Sequence, residues 1–445
     1  MRKSLIALFG VLVLLIAACA ADDAEDPIAD LEDEDAEEVE DAEEEIEVEE
    51  LPENAVEIFS WWTGAGEEAG LLALIDLFQE QYPEYDVVNS AVAGGAGTDA
   101  RAVLASRMQA GDPPGTFQIH AGRALLDTWV AADAMEPLNF LYEEEGWFDV
   151  FPETLLDLTT DEDGNIYSVP VNVHRSNVMF TNTAVFEDND LELPVTFEDF
   201  VEVADELEAA GVTPLALGDN EPWTLTHTWE SVLLGTVGPE EYDALFAGEA
   251  NWDSEGVVES FERLDTMFGY INEDHAARNW QDAAQLVAEG DAAMNIMGDW
   301  AAGYFATDLE LEPIDDFGWV PTPGTAGHFI TVVDTFGLPE GAPNREGTTD
   351  WLRVLGSVEG QEIFNPLKGS IAARTDADVS VFNQYGQATY DDFNNDILVP
   401  SLAHNSAAPP DFSEEALAVM QEFMASRDAQ AAAERLEMAS QDYLQ

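Results

Sequence analysis

The stretch Ile58-Phe59-Ser60-Trp61-Trp62-Thr63-Gly64-Ala65-Gly66-Glu67-Glu68 leads from an apolar strand, through a turn with glycine, into a helix. Apolar residues recur at helical spacing from Leu71 to Phe78, acidic residues suit the first turn, and Tyr82-Pro83 ends the helix. In α/β proteins such a junction binds ligands, because strand ends and helix N-termini leave backbone N–H groups free. The stretch therefore predicts an α/β fold with a ligand site at this junction.

Two large aromatic rings, Trp61 and Trp62, lie beside the carboxylate of Glu67 in this stretch. Flat rings cover the apolar C–H face of a pyranose, and a carboxylate accepts hydrogen bonds from its hydroxyl groups. These residue types favour a sugar as the ligand. The alternative is that the tryptophans belong to the core and that Glu67 is a solvated surface residue.

The alternation of strand and helix continues along the chain. A second strand is predicted at 86–92, a helix carries residues 101–108, and a short strand follows at 116–122. This βαβαβ pattern implies a parallel sheet with helices on both faces. Further helices are predicted at 196–210, 228–237, 254–268, 280–289 and 348–364, and a terminal helical region at 413–436.

The charge of the chain is strongly negative. Among 445 residues, 93 are acidic and 14 are basic, which makes nucleic acid an unfavourable partner. Residues 20–54 hold 20 acidic residues and no Lys or Arg, as expected of an extended tether. Residues 55–445 hold 73 acidic and 12 basic residues. Their dispersion favours adaptation to a saline medium, with a cation-binding surface as the alternative.

Cys19 is the single cysteine of the chain, so an intrachain disulfide is excluded. Arg2-Lys3 and an apolar run at 5–18 precede it, which predicts a signal peptide at 1–18. Residues 16–19 resemble a bacterial lipobox, in which the cysteine is lipidated, although a chance cysteine is the alternative. The prediction is an exported protein that Cys19 anchors to the outer face of the cytoplasmic membrane, with residues 19–54 as the tether.

Motifs of catalysis are missing from the sequence. There is no HExxH, no cysteine pair, no Gly-x-Ser-x-Gly, and the six histidines are scattered, so neither a metal nor a cofactor is expected. The paired carboxylates of a glycoside hydrolase stay open, because the acidic residues supply many candidates. Lys368 is one of only two lysines, with Lys3. It is either a specific contact or a tolerated surface residue.

Several segments resemble a known family. Residues 290–300 resemble the signature of the extracellular solute-binding proteins of carbohydrate ABC importers, the maltose-binding-protein type, and residues 163–171 resemble the segment before the first crossing between lobes. A narrower resemblance, to the glucose-, mannose- and galactose-binding lipoproteins, rests on residues 60–63 with Glu67, 170–175, 297–300, 368–370 and 400–404.

This resemblance implies an α/β fold of the periplasmic-binding-protein type. Two lobes, each with a sheet flanked by helices, would be joined by several hinge crossings and would close on a sugar between them. Lobe I is expected at 55–170 and about 335–370, and lobe II at about 171–334 and 371–445. The ligand is expected to be a glucose-type monosaccharide, and the partners are the permease and ATPase of the importer. The protein is expected to be a monomer without catalytic activity.

The resemblance also implies the roles of particular side chains. Trp61 or Trp62 and Trp280 would stack on the sugar, Glu67, Asp299, Lys368 and His404 would hydrogen-bond to it, and Gln118, His120 and Trp223 are lesser candidates. Some relatives carry lysine in place of His120, so the hydroxyl contacts and the preferred epimer stay open. Two other functions remain as alternatives, a secreted glycoside hydrolase and a cell-surface carbohydrate-binding protein.

Overall fold

The computed structural model describes residues 52–94 and 97–444. The predicted signal peptide, Cys19 and all but the last three residues of the predicted tether lie outside these residues. Within the described part of the chain, no helix has both the length and the apolar character needed to cross a membrane.

The strand–turn–helix junction predicted from the sequence is present. Strand β1 (Ala55–Phe59) is fully buried, and helix α1 (Ala65–Gln81) begins after Gly64, with Glu67 and Glu68 in its first turn. Strands β2 (Asp86–Asn89) and β3 (Thr116–His120) both pair with β1 in parallel. The predicted parallel arrangement is therefore confirmed for these three strands.

The complete sheet is mixed, which the local pattern did not predict. Its order is β2-β1-β3-β11-β4, where β4 is Ser168–Pro170 and β11 is Asp334–Gly337. Strand β11 runs antiparallel to both of its neighbours. Strand β11 comes from a distant part of the chain, so the local residue pattern does not predict its place in the sheet.

Two further sheets complete the strand structure of the described residues. A four-stranded sheet has the order β7-β8-β6-β9, and a three-stranded sheet has the order β12-β10-β5. Their strands are β5 (His174–Arg175), β6 (Val178–Asn182), β7 (Thr213–Ala216), β8 (Ala292–Met297), β9 (Phe317–Pro321), β10 (His328–Val332) and β12 (Ile397–Pro400).

Helices cover the sheets. The remaining α-helices of the described residues are α2 (Thr98–Ala110), α3 (Asn139–Glu145), α4 (Glu153–Asp157), α5 (Thr183–Asp188), α6 (Phe197–Ala210), α7 (Trp223–Val237), α8 (Pro239–Phe246), α9 (Glu255–Met267), α10 (Trp280–Glu289), α11 (Trp300–Gly303), α12 (Arg345–Gly356), α13 (Val358–Lys368), α14 (Gln384–Asn395), α15 (Pro410–Ser426) and α16 (Ala429–Tyr443).

Two predicted long helices are each divided in two. Ser357 has an extended backbone and its hydroxyl accepts a hydrogen bond from the Gly360 N–H, so α13 starts anew after α12. Arg427 is left-handed with φ of 57°, and Asp428 then caps α16 by accepting from the Ala431 N–H. Capping side chains inside an apolar pattern are the physical reason for both breaks.

Two main hydrophobic cores lie within the described part of the chain. Lobe I is the part around the five-stranded sheet, with Trp62, Phe78 and Trp351 in its core. Lobe II is the part around the four-stranded sheet, with Trp229 and Trp252 in its core. The exact residues at which the lobes begin and end stay a prediction.

Crossing segments lie side by side between the lobes. The N–H of Val171 donates to the carbonyl of Asp334, and Val173 and Ile371 exchange two backbone hydrogen bonds of 2.9 and 3.0 Å. Asp334 lies opposite His120 in the register of β11 and β3. The crossings thus bring polar residues from distant parts of the sequence to the floor of the cleft between the lobes.

Candidate ligand-binding cleft

Tryptophan rings form the walls of the cleft. Trp61 comes from lobe I, and Trp223, Trp280 and Trp300 come from lobe II. The ring centroids of Trp223 and Trp300 lie 6.0 Å apart, and that of Trp300 lies 5.1 Å from the His404 ring. The cavity has a volume of about 270 Å³, near the lower limit of ligand pockets, which is about 300 Å³.

The two adjacent tryptophans have different surroundings. Trp61 is partly exposed in the cleft, its backbone N–H donates to Gln118 Oε1 at 3.1 Å, and the Arg101 guanidinium lies 5.9 Å from its ring centroid. Trp62 is completely buried, with its ring 4.8 Å from that of Phe364. Trp62 is therefore a core residue in this structure, and of the two adjacent tryptophans it is Trp61 that lines the cleft.

An ion pair joins the start of α1 to the end of α13 at the cleft. Lys368 Nζ lies 2.6 Å from Glu67 Oε1, although the two residues are 301 positions apart in the sequence. Both line the cleft, and Lys368 has an exposed fraction of only 3%. A buried ammonium needs such a partner. The structure thus brings together two residues expected at the site.

The floor of the cleft centres on Asp334. Its carboxylate accepts hydrogen bonds of 2.8 Å from Gln118 Nε2 and from Asn172 Nδ2, and His120 Nε2 lies 3.5 Å from it. Asp334 and His120 line the cleft, whereas Gln118 lies beneath them. Gln118 therefore supports Trp61 and Asp334 in this structure, and a contact between Gln118 and the ligand stays a prediction.

Asp299 lies behind the cleft and is completely buried. One carboxylate oxygen contacts His174 Nδ1, and the other accepts a 2.9 Å hydrogen bond from the Arg175 N–H. His174 lies between Asp299 and the cleft and lines the cleft itself. The structure thus places Asp299 behind the lining of the cleft, with a partner for each of its oxygens, and a direct ligand contact by Asp299 stays a prediction.

The protonation of the histidines differs along the floor. Burial lowers the pKa of His120 to about 4, against the opposing effect of Asp334. Burial, with His120 and His227 nearby, also holds the pKa of His404 well below its usual value. For His174, burial is outweighed by Asp299, and its pKa is raised. His120 and His404 are therefore neutral near pH 7, whereas Asp299 shifts the pKa of His174 in the opposite direction, towards the charged form.

A hydrogen-bonded cluster continues behind His404. The side-chain ligand atoms of His227, Glu230 and His404 come within 4.8 Å of one another, a separation that a metal ion accommodates. However, Ser176 and Ser401 lie between them, each with its hydroxyl within 3.1 Å of Glu230 Oε1. Hydrogen bonds through the two serines therefore account for this cluster.

Sequence reasoning missed several residues that line the cleft. They are Thr63, His174, Glu221, Asn279, Gln281, Trp300 and Asp334. Some signal existed, because Trp300 and His174 lie within the segments that carry the family resemblance, and two others flank Trp280. Asp334 gave the weakest signal, as a single acidic residue after an apolar strand.

Comparison with known proteins identifies the family. The bacterial extracellular solute-binding protein family matches residues 61–362. An ABC transporter extracellular-binding protein of Pyrococcus horikoshii, itself uncharacterised, is 35% identical over 382 residues, 85% of each chain. The xylose/arabinose-binding protein of Haloferax volcanii is 31% identical over 364 residues, 80% of this chain and 78% of that protein.

A solved structure has the same fold. The bacterial solute receptor AcbH, described as having an exclusive substrate preference for β-D-galactopyranose, aligns with a TM-score of 0.79 at 18% identity and covers 88% of this chain and 99% of its own. The fold is the two-lobed α/β fold of periplasmic binding proteins. The chain belongs to the family of bacterial extracellular solute-binding proteins.

Proposed function

We propose that the protein captures a glucose-type monosaccharide between its lobes and delivers it to the permease of an ABC importer. The observation that carries this proposal is the cleft itself, a small cavity with tryptophan walls and a floor of buried charged and polar groups. The rings suit the apolar faces of a pyranose, and the floor offers partners for its hydroxyl groups. Relatives with sugars in their names support the same class of ligand.

In the proposed complex, Trp61 stacks from lobe I, and Trp223, Trp280 and Trp300 stack from lobe II. Lys368 donates to the sugar, and Glu67, His120, Asp334 and His404 accept from it. Each hydroxyl left without a partner costs about 1–3 kcal/mol, so this dense set of groups discriminates between epimers. Closure of the lobes around the sugar creates the outer shape that the permease recognises.

The proposal includes the location and state of the protein. The protein is exported, is lipidated at Cys19 and acts as a monomer. The lipid anchor keeps it at the membrane, near its importer. The dispersed acidic surface suits a saline medium.

Catalysis is not part of the proposed function. A glycoside hydrolase needs a general acid with a raised pKa. Asp334, at the centre of the floor, has the opposite property, because hydrogen bonding with His174 and the nearby charges hold its pKa low despite burial. A chromogenic glycoside is accordingly expected to remain uncleaved by the protein.

Isothermal titration with glucose, mannose, galactose, xylose and maltose in high salt tests the proposal. The expected result is one site for one monosaccharide, with Kd of about 1 µM, equivalent to about −8 kcal/mol. Lys368→Met is expected to remove this binding. The matched control is Arg345→Met, because Arg345 makes an equally short 2.6 Å ion pair with Glu136 at an exposed position. No binding of any sugar by the folded protein would refute the proposal.

A further inference from the structure

Glu230, on α7 behind the cleft floor, is a fully buried carboxylate with four hydrogen-bond donors around it. Its Oε1 atom lies 3.1 Å from Ser176 Oγ and 2.8 Å from Ser401 Oγ. Its Oε2 atom accepts from the backbone N–H groups of Leu402 and Ala403, at 2.7 and 3.0 Å. An ionised carboxylate only accepts, so both serine hydroxyls must donate to it.

Each serine also contacts a histidine. Ser401 Oγ lies 2.8 Å from His404 Nδ1, and Ser176 Oγ lies 3.1 Å from His227 Nδ1. A hydroxyl group has one hydrogen, and that hydrogen is used by Glu230. The serine oxygen must therefore accept from the histidine, which places the proton of the neutral His404 ring on Nδ1 and leaves a lone pair on Nε2.

The second ring nitrogen of His404 is available to a ligand. His404 lines the cleft, and no hydrogen bond found among the described residues uses its Nε2 atom. With the proton held on Nδ1, Nε2 acts as an acceptor at the cleft floor.

We infer that Glu230 is a positioning residue that fixes the tautomer of His404 through Ser401, so that the cleft accepts a hydrogen bond from a ligand hydroxyl at this point and rejects groups that only accept. The control of the tautomer is independent of the ligand, whereas its effect on selectivity rests on the proposed function. Glu230 thereby sets a requirement for a donor group on the sugar without touching it.

The variant Glu230→Gln is expected to reverse the direction of the hydrogen bonds between the two serine hydroxyls and the two histidine rings. Its amide oxygen can accept from Leu402 N–H and Ala403 N–H, and its amide N–H groups then donate to the two serines. Each serine hydroxyl is free to donate to its histidine, so His404 takes the Nε2–H tautomer. All hydrogen bonds remain satisfied, and the shape of the cluster is preserved.

Two alanine variants separate the arms of this network. Ser401→Ala removes the connection to His404, so a single tautomer is expected to become a mixture. Ser176→Ala removes the connection to His227, which does not line the cleft, and one of the four hydrogen bonds to Glu230, but it leaves Ser401 and His404 in contact. The tautomer of His404 is expected to be unchanged in this control.

The direct test is a long-range ¹H–¹⁵N correlation spectrum of the full chain labelled with ¹⁵N-histidine, assigned with His404→Asn and His227→Asn. Burial raises the pKa of Glu230 to about 7, so a sample at about pH 8.5 keeps it ionised. The Nδ1–H tautomer of His404 in the wild type and the Nε2–H tautomer in Glu230→Gln are expected. An Nε2–H tautomer in the wild type, or an unchanged one in folded Glu230→Gln, would overturn the inference. Should that variant not fold, a pure Nδ1–H tautomer in Ser401→Ala would overturn it equally.

The effect on selectivity is measured with monodeoxyfluoro derivatives of the sugar that the titration panel identifies, because fluorine cannot donate. At the hydroxyl that contacts His404, the wild type is expected to bind the fluoro sugar about 10- to 100-fold more weakly than the parent sugar. Glu230→Gln is expected to reduce this ratio at the same hydroxyl, whereas Ser176→Ala keeps it. Equal ratios for all positions in the wild type and Glu230→Gln would refute the selectivity. Failure of every sugar to bind would refute the proposed function while leaving the tautomer measurement valid.

Discussion

Replacing Gly303 by alanine tests the contact between α11 and the end of α13. An added Cβ atom at Gly303 would lie 2.3 Å from the Lys368 carbonyl oxygen and 2.9 Å from the Gly369 nitrogen. Both atoms belong to the backbone, and Gly369 is held at φ of +86°, so neither moves independently of its segment. The substitution must therefore push the Lys368 segment away from α11.

The size of this effect follows from the distances. An ordinary contact between carbon and oxygen is about 3.4 Å, so the segment must move by about 1 Å, and overpacking of this kind costs about 1–3 kcal/mol. Unfolding entropy of about 2.1 cal/mol/K per residue gives about 0.8 kcal/mol/K for the unit Leu51–Gln445. The melting temperature is thus expected to fall by about 1–4 °C. Because Lys368 lines the cleft, sugar affinity is expected to fall about tenfold.

Calorimetry and isothermal titration of the same samples provide the assay. Gly269→Ala is the matched control, since a Cβ atom there meets nothing within 4 Å and its φ is not positive. This control is expected to keep wild-type affinity and to gain up to about 1 kcal/mol, because alanine reduces the freedom of the unfolded chain. If Gly303→Ala kept the melting temperature and the sugar affinity of the wild type, the backbone contact between Gly303 and Lys368 would not be rigid, and the reasoning would be refuted.

Other predictions concern the core, the cluster behind the floor, and the surface. Trp62→Ala is expected to cost about 3–5 kcal/mol of unfolding free energy, because Trp62 is fully buried. Trp61→Ala is expected mainly to weaken sugar binding. Urea denaturation measures the first effect and isothermal titration the second. Burial raises the pKa of Glu230 from 4.5 to about 7. The contribution of this shift to stability is therefore complete below pH 4.5 and is lost as the pH rises through 7. Across that range, the unfolding free energy of the wild type relative to Glu230→Gln is expected to fall by about 3 kcal/mol. Loss of compactness at low ionic strength is expected from the excess of acidic residues, and an unchanged circular dichroism spectrum across a salt series would contradict it.

Local patterns predicted the local parts of the fold. The junction after β1 and the helix α10 at Trp280–Glu289 follow from apolar spacing and capping residues. The antiparallel placement of β11 between β3 and β4 depends on a pairing across more than 160 residues, which no spacing encodes. Family resemblance, rather than periodicity, supplied the two-lobed arrangement.

The site was predicted in part for a similar reason. Residue types pointed to Trp61, Glu67 and Lys368, and resemblance added His120, Trp223, Trp280 and His404. All seven line the cleft, and their contacts with a ligand stay predictions. Sequence alone does not tell which of two adjacent tryptophans faces the core, because that depends on the packing of Phe336 and Phe364 against Trp62. Nor does it show that His174 lies in front of Asp299.

Histidine and amide side chains, rather than arginine side chains, contact the buried carboxylates Asp299 and Asp334. The chain has few basic residues, and most of those in the described part form ion pairs outside the cleft, as Arg107 does with Glu57. Three of the six histidines instead line the cleft, with His227 behind them, and His174 contacts Asp299 and also lies 3.6 Å from Asp334. Neutral His120 and His404 add no charge that a neutral sugar would have to balance. A chain that is acidic over its surface can thus keep a buried site with satisfied carboxylates, because amides, hydroxyls and histidines supply the hydrogen bonds.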